Sequence, residues 1–256
     1  LNSLIAGYSS LTGAALAWDQ VGSIYQAADR PVEDVELSSV FLIDDAEKQF
    51  EKATPLLTAR DLSFRFQPRG LPVLQGCNVS IFQGDRLLLE GPSGGGKSTL
   101  ASLLIGLREP EQGLLLLHGL DRHSVGGQNW RRRVVASPQF HENYVLTGTI
   151  AFNLLMGRRW PAQPDDLAEA EQVCRELGLD EVLSRMPSGL QQMVGEGGWQ
   201  LSNGERSRLY IARALLQKAE MIILDESFAA LDPINLRRAL ECVLRRAPTL
   251  MVIAHP

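Results

Sequence analysis

The chain has 256 residues, 45% of them hydrophobic, and a formal net charge of −5. That length supports one sizeable α/β core plus a small helical subdomain, and the mild acidity gives no support for a nucleic-acid-binding or anionic-membrane surface. The 3 cysteines, Cys77, Cys174 and Cys242, are widely spaced without a C-x-x-C pair, which suggests neither a zinc site nor a disulfide framework and fits a reducing, cytoplasmic setting.

Leu1 to Ala28 reads as helix, mostly apolar or small. Asp19 and scattered polar residues make it a poor complete membrane span, and it lacks the basic start and continuous apolar stretch of a signal peptide. Further on, Leu62-Ser-Phe64-Arg-Phe66 puts Phe64 and Phe66 on one strand face by period two. The apolar run Leu87-Leu88-Leu89 then leads into Gly91-Pro-Ser-Gly-Gly-Gly-Lys97-Ser98, which satisfies G-x-x-x-x-G-K-[ST], and Leu100 to Ile105 follows as a helix. Strand, glycine turn and helix start make backbone N–H groups and the positive end of a helix dipole converge on a polyanion. Gly91, Gly94, Gly95 and Gly96 let the backbone wrap closely, Lys97 can reach the β- and γ-phosphates, and the Ser98 hydroxyl can ligate Mg²⁺; Ser93 and Thr99 complete the nucleotide-contacting set.

Gly113 to Leu117 is a further strand signal, and Trp130-Arg-Arg-Arg133 reads as a solvated helix face. Gln139 follows in Ser137-Pro-Gln-Phe140, then helix formers dominate, as in Asp165 to Leu177. Met221-Ile-Ile-Leu224 has the look of a strand buried on both faces and ends in Asp225-Glu226. Such a strand delivers its C-terminal carboxylates to the ligand crevice at the sheet edge, where Asp225 can hold Mg²⁺ and Glu226 can orient or deprotonate an attacking water. Asp232-Pro233 is a helix-start signal, and Leu250 to Ala254 is another apolar strand, closed by His255. Together these motifs point to nucleoside triphosphate hydrolysis.

Leu201-Ser202-Asn203-Gly204-Glu205, with the helix-forming stretch after it, resembles the LSGGQ signature of ATP-binding cassette (ABC) proteins, and the resemblance runs from about Leu57 to His255. It implies an α/β phosphate-loop ATPase core with a mixed sheet and an inserted helical subdomain: 57–138 and 218–256 as core, 139–217 as helical subdomain. In that family two cassettes close on ATP, so Ser202 and Gly204 would face the γ-phosphate of a partner's nucleotide, and Asp232 would lie along the dimer interface. Gln139 would sense Mg²⁺ or the attacking water, His255 would contact the γ-phosphate and steady Glu226, and Phe66 would stack on adenine, with Phe64 alternatively part of the core. Asn203 stands where the family has glycine, which is mild if the position needs φ > 0, and Glu205 replaces glutamine, adding a carboxylate near a triphosphate.

Residues 1–56 resemble the cytoplasmic extension of a last transmembrane helix plus a linker at Arg30 to Val35, with an amphipathic helix packed on its own domain as the alternative. Met193 to Gly197 resembles the exporter loop that meets the membrane domain, and the end at Pro256 suggests a cassette cut from a longer chain. The resemblance therefore implies the ATP- and Mg²⁺-dependent module of an exporter with a fused membrane domain, working at the cytoplasmic face of the cell membrane. Its implied partners are a second cassette and that membrane domain, and no nucleic acid. The rival readings are a soluble ABC ATPase of DNA repair or translation, or an importer cassette.

Overall fold

A computed structural model describes residues 54–254 apart from 68, 140 and 142. The expectations for 1–53 and for His255 fall outside the described residues. The chain begins with β1 (Leu57–Phe64), β2 (Leu74–Ile81) and β3 (Arg86–Glu90), then α1 (Lys97–Leu104) and β4 (Gln112–Leu117). The short helices α2 (Arg122–Val125) and α3 (Gly127–Arg133) lead to β5 (Val134–Ser137). A mainly helical stretch follows: β6 (Gly148–Thr149), α4 (Ile150–Leu155), α5 (Pro164–Glu176), α6 (Asp180–Arg185), β7 (Met193–Val194) and α7 (Asn203–Leu216). The chain then returns through β8 (Met221–Asp225), α8 (Pro233–Arg246) and β9 (Thr249–Ala254).

Parallel and antiparallel pairing are both present, divided between sheets. β2, β1 and β4 form an antiparallel sheet in that order, β3, β9, β8 and β5 form a parallel one, and β6 pairs with β7. The expected strand at Met221 to Leu224 is buried at every residue, as a strand covered on both faces must be. Its side chains alternate between two cores. Ile222 and Leu224 join the cluster built on α4, α5 and α7, whereas Met221 and Ile223 join the cluster that includes α1 and β1. β9 divides in the same way, Leu250 to the first side and Met251 and Ile253 to the second.

The Trp130–Arg133 stretch departs from a wholly solvated face. The arginines are exposed, but Trp130 is fully buried and its indole N–H donates to Leu104 O at 2.8 Å. A tryptophan that finds a partner for its N–H can bury its large apolar body at the end of α1 while its neighbours stay wet.

Candidate nucleotide site

Register in the parallel sheet brings distant motifs to one edge. Glu90 pairs with Ala254, Asp225 with Ile253, and Ser137 with Leu224, so the C-terminal ends of β3, β9, β8 and β5 lie side by side. The loop from Gly91 follows the first of these, Glu226 follows Asp225, and Gln139 comes two residues after Ser137. An open α/β sheet offers its ligand crevice at this edge.

The loop itself is shaped by its glycines. Gly96, the N-cap of α1, is left-handed at φ 82°, and a Cβ there would stand 3.0 Å from Leu74 Cδ2 and 3.1 Å from the Val73 carbonyl. No side chain caps α1 and no acidic residue occupies its first turn, so its leading N–H groups are left for another acceptor. Ser93, Gly94 and Gly95 are exposed at the crest, while Lys97 is buried. Its Nζ donates to Gly91 O at 2.7 Å and Pro92 O at 3.0 Å, and no described carboxylate pairs with it. A buried ammonium held by neutral carbonyls above an uncapped helix start fits a polyanion such as a triphosphate.

Gln139 ties the edge together. Its Nε2 donates to Ser98 Oγ at 3.2 Å and to Glu226 Oε1 at 2.7 Å, joining the loop to the carboxylate after β8. Glu226 adopts φ 49°, a left-handed backbone that a side chain enters at a cost of about 1–3 kcal/mol. Its N–H donates to Ile253 O of β9 at 3.0 Å and its carbonyl accepts from Ala229 N within the turn at 3.1 Å, so the neighbouring strand and the turn itself hold that conformation. Asp225, one residue earlier, is buried at the strand end. Ser98, Gln139 and Asp225 carry side-chain oxygens of the hard kind that could ligate Mg²⁺.

Phe64 and Phe66 separate clearly. Phe64 is 8% exposed and belongs to the core, whereas Phe66 is 57% exposed, the two rings forming a T-shaped pair with centroids 5.2 Å apart. The loop between β1 and β2 lies against the phosphate loop, because Val73 N donates to Phe64 O at 2.8 Å and Val73 O faces Gly96.

Ser202, Gly204 and Asp232 form a second group. Ser202 caps α7 in a reciprocal box: its hydroxyl accepts from Glu205 N at 3.3 Å, and the Glu205 carboxylate accepts from Ser202 N at 2.8 Å. The other Glu205 oxygen accepts from Arg185 at 2.9 Å. The residue that departs from the signature glutamine thus spends its charge on its own chain. Asn203 is the first residue of α7 and is absent from the positive-φ positions, so helical backbone, and not left-handed tolerance, accommodates it; its Oδ1 accepts from Arg206 at 2.9 Å. A Cβ on Gly204 would meet Ala230 O at 3.4 Å, which sets the signature against the turn before α8.

Sequence reasoning missed Arg208, which knits this group together. It is buried, donates through Nε to Gly204 O at 3.3 Å and through Nη1 to Leu177 O at 3.3 Å, to Gly178 O, and to Asn235 Oδ1 at 3.0 Å. Asn235 in turn donates to Asp232, the α8 cap, whose carboxyl is held below its usual range by that contact and by backbone N–H groups. Burial lowers the pKa of Arg208, the cost of carrying a cation into the core. Its one sequence signal is an arginine four residues after Gly204, beside the apolar run Leu209 to Ala212.

Residues 74–229 match the family model for ABC transporters. The chain belongs to the ABC transporter family. It is 38% identical over 210 residues to ABC transporter B family member 29, chloroplastic, of Arabidopsis thaliana, covering 81% of this chain and 32% of that protein. It is 37% identical over 205 residues to the mycobactin import ATP-binding/permease protein IrtB of Mycolicibacterium thermoresistibile, covering 79% and 34%. Among solved structures it resembles a bacterial Atm1-family ABC exporter with ATP bound, with a TM-score of 0.70 and 29% identity over 80% of this chain and 35% of that one. This ABC chain spans about a third of the length of these two relatives. Among its described residues, no helix is long and apolar enough to cross a membrane.

Proposed function

We propose that the chain is the ATP-hydrolysing module of an ABC exporter. The observation that carries this reading is Gln139 bridging Ser98 of the phosphate loop and Glu226 at the end of β8. On binding ATP, Lys97 leaves the Gly91 and Pro92 carbonyls for the β- and γ-phosphates, and Gly94 to Ser98 and Thr99 present backbone N–H groups, with Ser93 beside them. Ser98, Gln139 and Asp225 would hold Mg²⁺, which when bound neutralises charge on the β- and γ-phosphate oxygens. Glu226 takes a proton from the attacking water once Gln139 releases its carboxylate, and His255 steadies it. Phe66 stacks on the adenine.

Ser202 and Gly204 of one cassette act on the nucleotide of a second, with Asp232 along their interface, so ATP joins two cassettes and hydrolysis parts them. The groove lined by Tyr144, Gly195, Glu196, Trp199 and Tyr210, of about 390 Å³, suits docking of the membrane domain, and Tyr144 and Met193 offer exposed apolar surface beside it. Work at the cytoplasmic face of a membrane follows from that docking. We further propose the division into core (57–138, 218–256) and helical subdomain (139–217), with 1–56 leading in from the membrane domain. The soluble-clamp and free-standing importer readings are not favoured: one relative is named an ATP-binding/permease protein and the structural neighbour an exporter.

The test is Mg²⁺-dependent ATP hydrolysis over a series of chain concentrations, beside Glu226→Gln. We expect a rate rising faster than linearly with concentration, and a loss of about 10²–10⁴-fold in the variant with ATP binding retained. Turnover unchanged in Glu226→Gln would remove Glu226 as the base.

A further inference from the structure

Arg108 follows α1 in the segment that returns to β4, and its guanidinium carbon lies 4.7 Å from the Phe66 ring centroid and 5.7 Å from that of Phe64. The carboxylates flanking it in sequence are committed elsewhere, Glu109 to Arg122 at 3.2 Å and Glu111 to Arg65 at 2.6 Å. Arg108 is exposed and pairs with no described carboxylate, and its guanidinium lies over the two aromatic rings. An exposed phenylalanine in a loop would sample several rotamers. Here the edge contact with buried Phe64 fixes one side of the Phe66 ring and the cation covers a face.

We infer that Arg108 is a positioning residue for base recognition: it holds Phe66 as a preformed platform whose other face stacks the purine. The inference rests on Phe66 being the base platform proposed above. Ordering the ring before the nucleotide arrives removes that cost from binding, and the effect reaches the base but not the phosphates.

The experiment is calorimetric titration of the full chain with Mg²⁺-ATP and, separately, with Mg²⁺-tripolyphosphate, for wild type, Arg108→Ala, Arg108→Lys and Phe66→Ala, with circular dichroism to verify folding. Arg108→Ala should weaken ATP by about two- to fivefold and leave tripolyphosphate unchanged, with Arg108→Lys between the two. Phe66→Ala should weaken ATP by about tenfold or more, again sparing tripolyphosphate. Equal weakening of both ligands by Arg108→Ala would mean a general charge effect and overturn the inference. Unchanged ATP affinity in Arg108→Ala with a selective loss in Phe66→Ala would overturn the role of Arg108 and leave the platform standing. No selective loss in Phe66→Ala would remove the platform and the inference together.

Discussion

α1 and α7 begin in opposite ways. α1 starts at a left-handed glycine with no side chain over its first N–H groups, while α7 starts at Ser202 with both ends of a capping box closed. The first start is held open by backbone shape, and its unsatisfied donors are a standing invitation to an anion. The second is satisfied within its own chain. Yet the Ser202 hydroxyl only accepts in that box, so its O–H remains available to donate to a phosphate oxygen. A helix start can therefore be stabilised and still recognise a ligand, provided the cap uses the lone pair and the ligand uses the proton.

The harshest way to break this comparison is Gly96→Ala. A Cβ at φ 82° meets the Val73 carbonyl at 3.1 Å, and a backbone oxygen yields little. We expect about 2–3 kcal/mol of lost stability in urea titration together with loss of ATP binding. Wild-type stability and affinity in that variant would show that the backbone does not hold the α1 start open. A milder probe is Ser202→Ala, which removes one cap at a cost of about 1 kcal/mol, read as a lower melting temperature, while ATP binding to the single chain is kept. The smallest effect should come from Glu205→Gln, which keeps the reciprocal box and loses only the pair with Arg185, itself 61% exposed. That loss should stay within about 0.5 kcal/mol, and hydrolysis within about twofold. A large change in hydrolysis would instead place the Glu205 charge close to a nucleotide.

What was legible in the sequence was what local pattern dictates. The run from Gly91 to Ser98 encodes its own turn, and Met221 to Asp225 reads as a doubly buried strand because nothing polar interrupts it. Asp232 before Pro233 likewise announces the start of α8, and the structure adds the hydrogen bonds of that cap to Ile234 and Asn235. The features that escaped are made by residues far apart in the chain. Arg185 neutralises Glu205 across a helix junction, Arg208 collects carbonyls from Leu177 and Gly178, and Gln139 reaches Glu226 from the loop after β5. Glu205 looked like a charge aimed at a ligand because its position was legible and its partner was not. Asn203 stands where the family has glycine, yet it is already the first residue of α7, so the position takes helical backbone and makes no demand for a left-handed one.

The backbone at Glu226 carries a further meaning for how this sequence can change. A glycine there would relax the left-handed turn, and by that measure the chain would fold more favourably without its carboxylate. With Glu226 as the base proposed above, stability and chemistry pull in opposite directions at a single position, and a screen that selects only for heat resistance would then drift toward a cassette without that base.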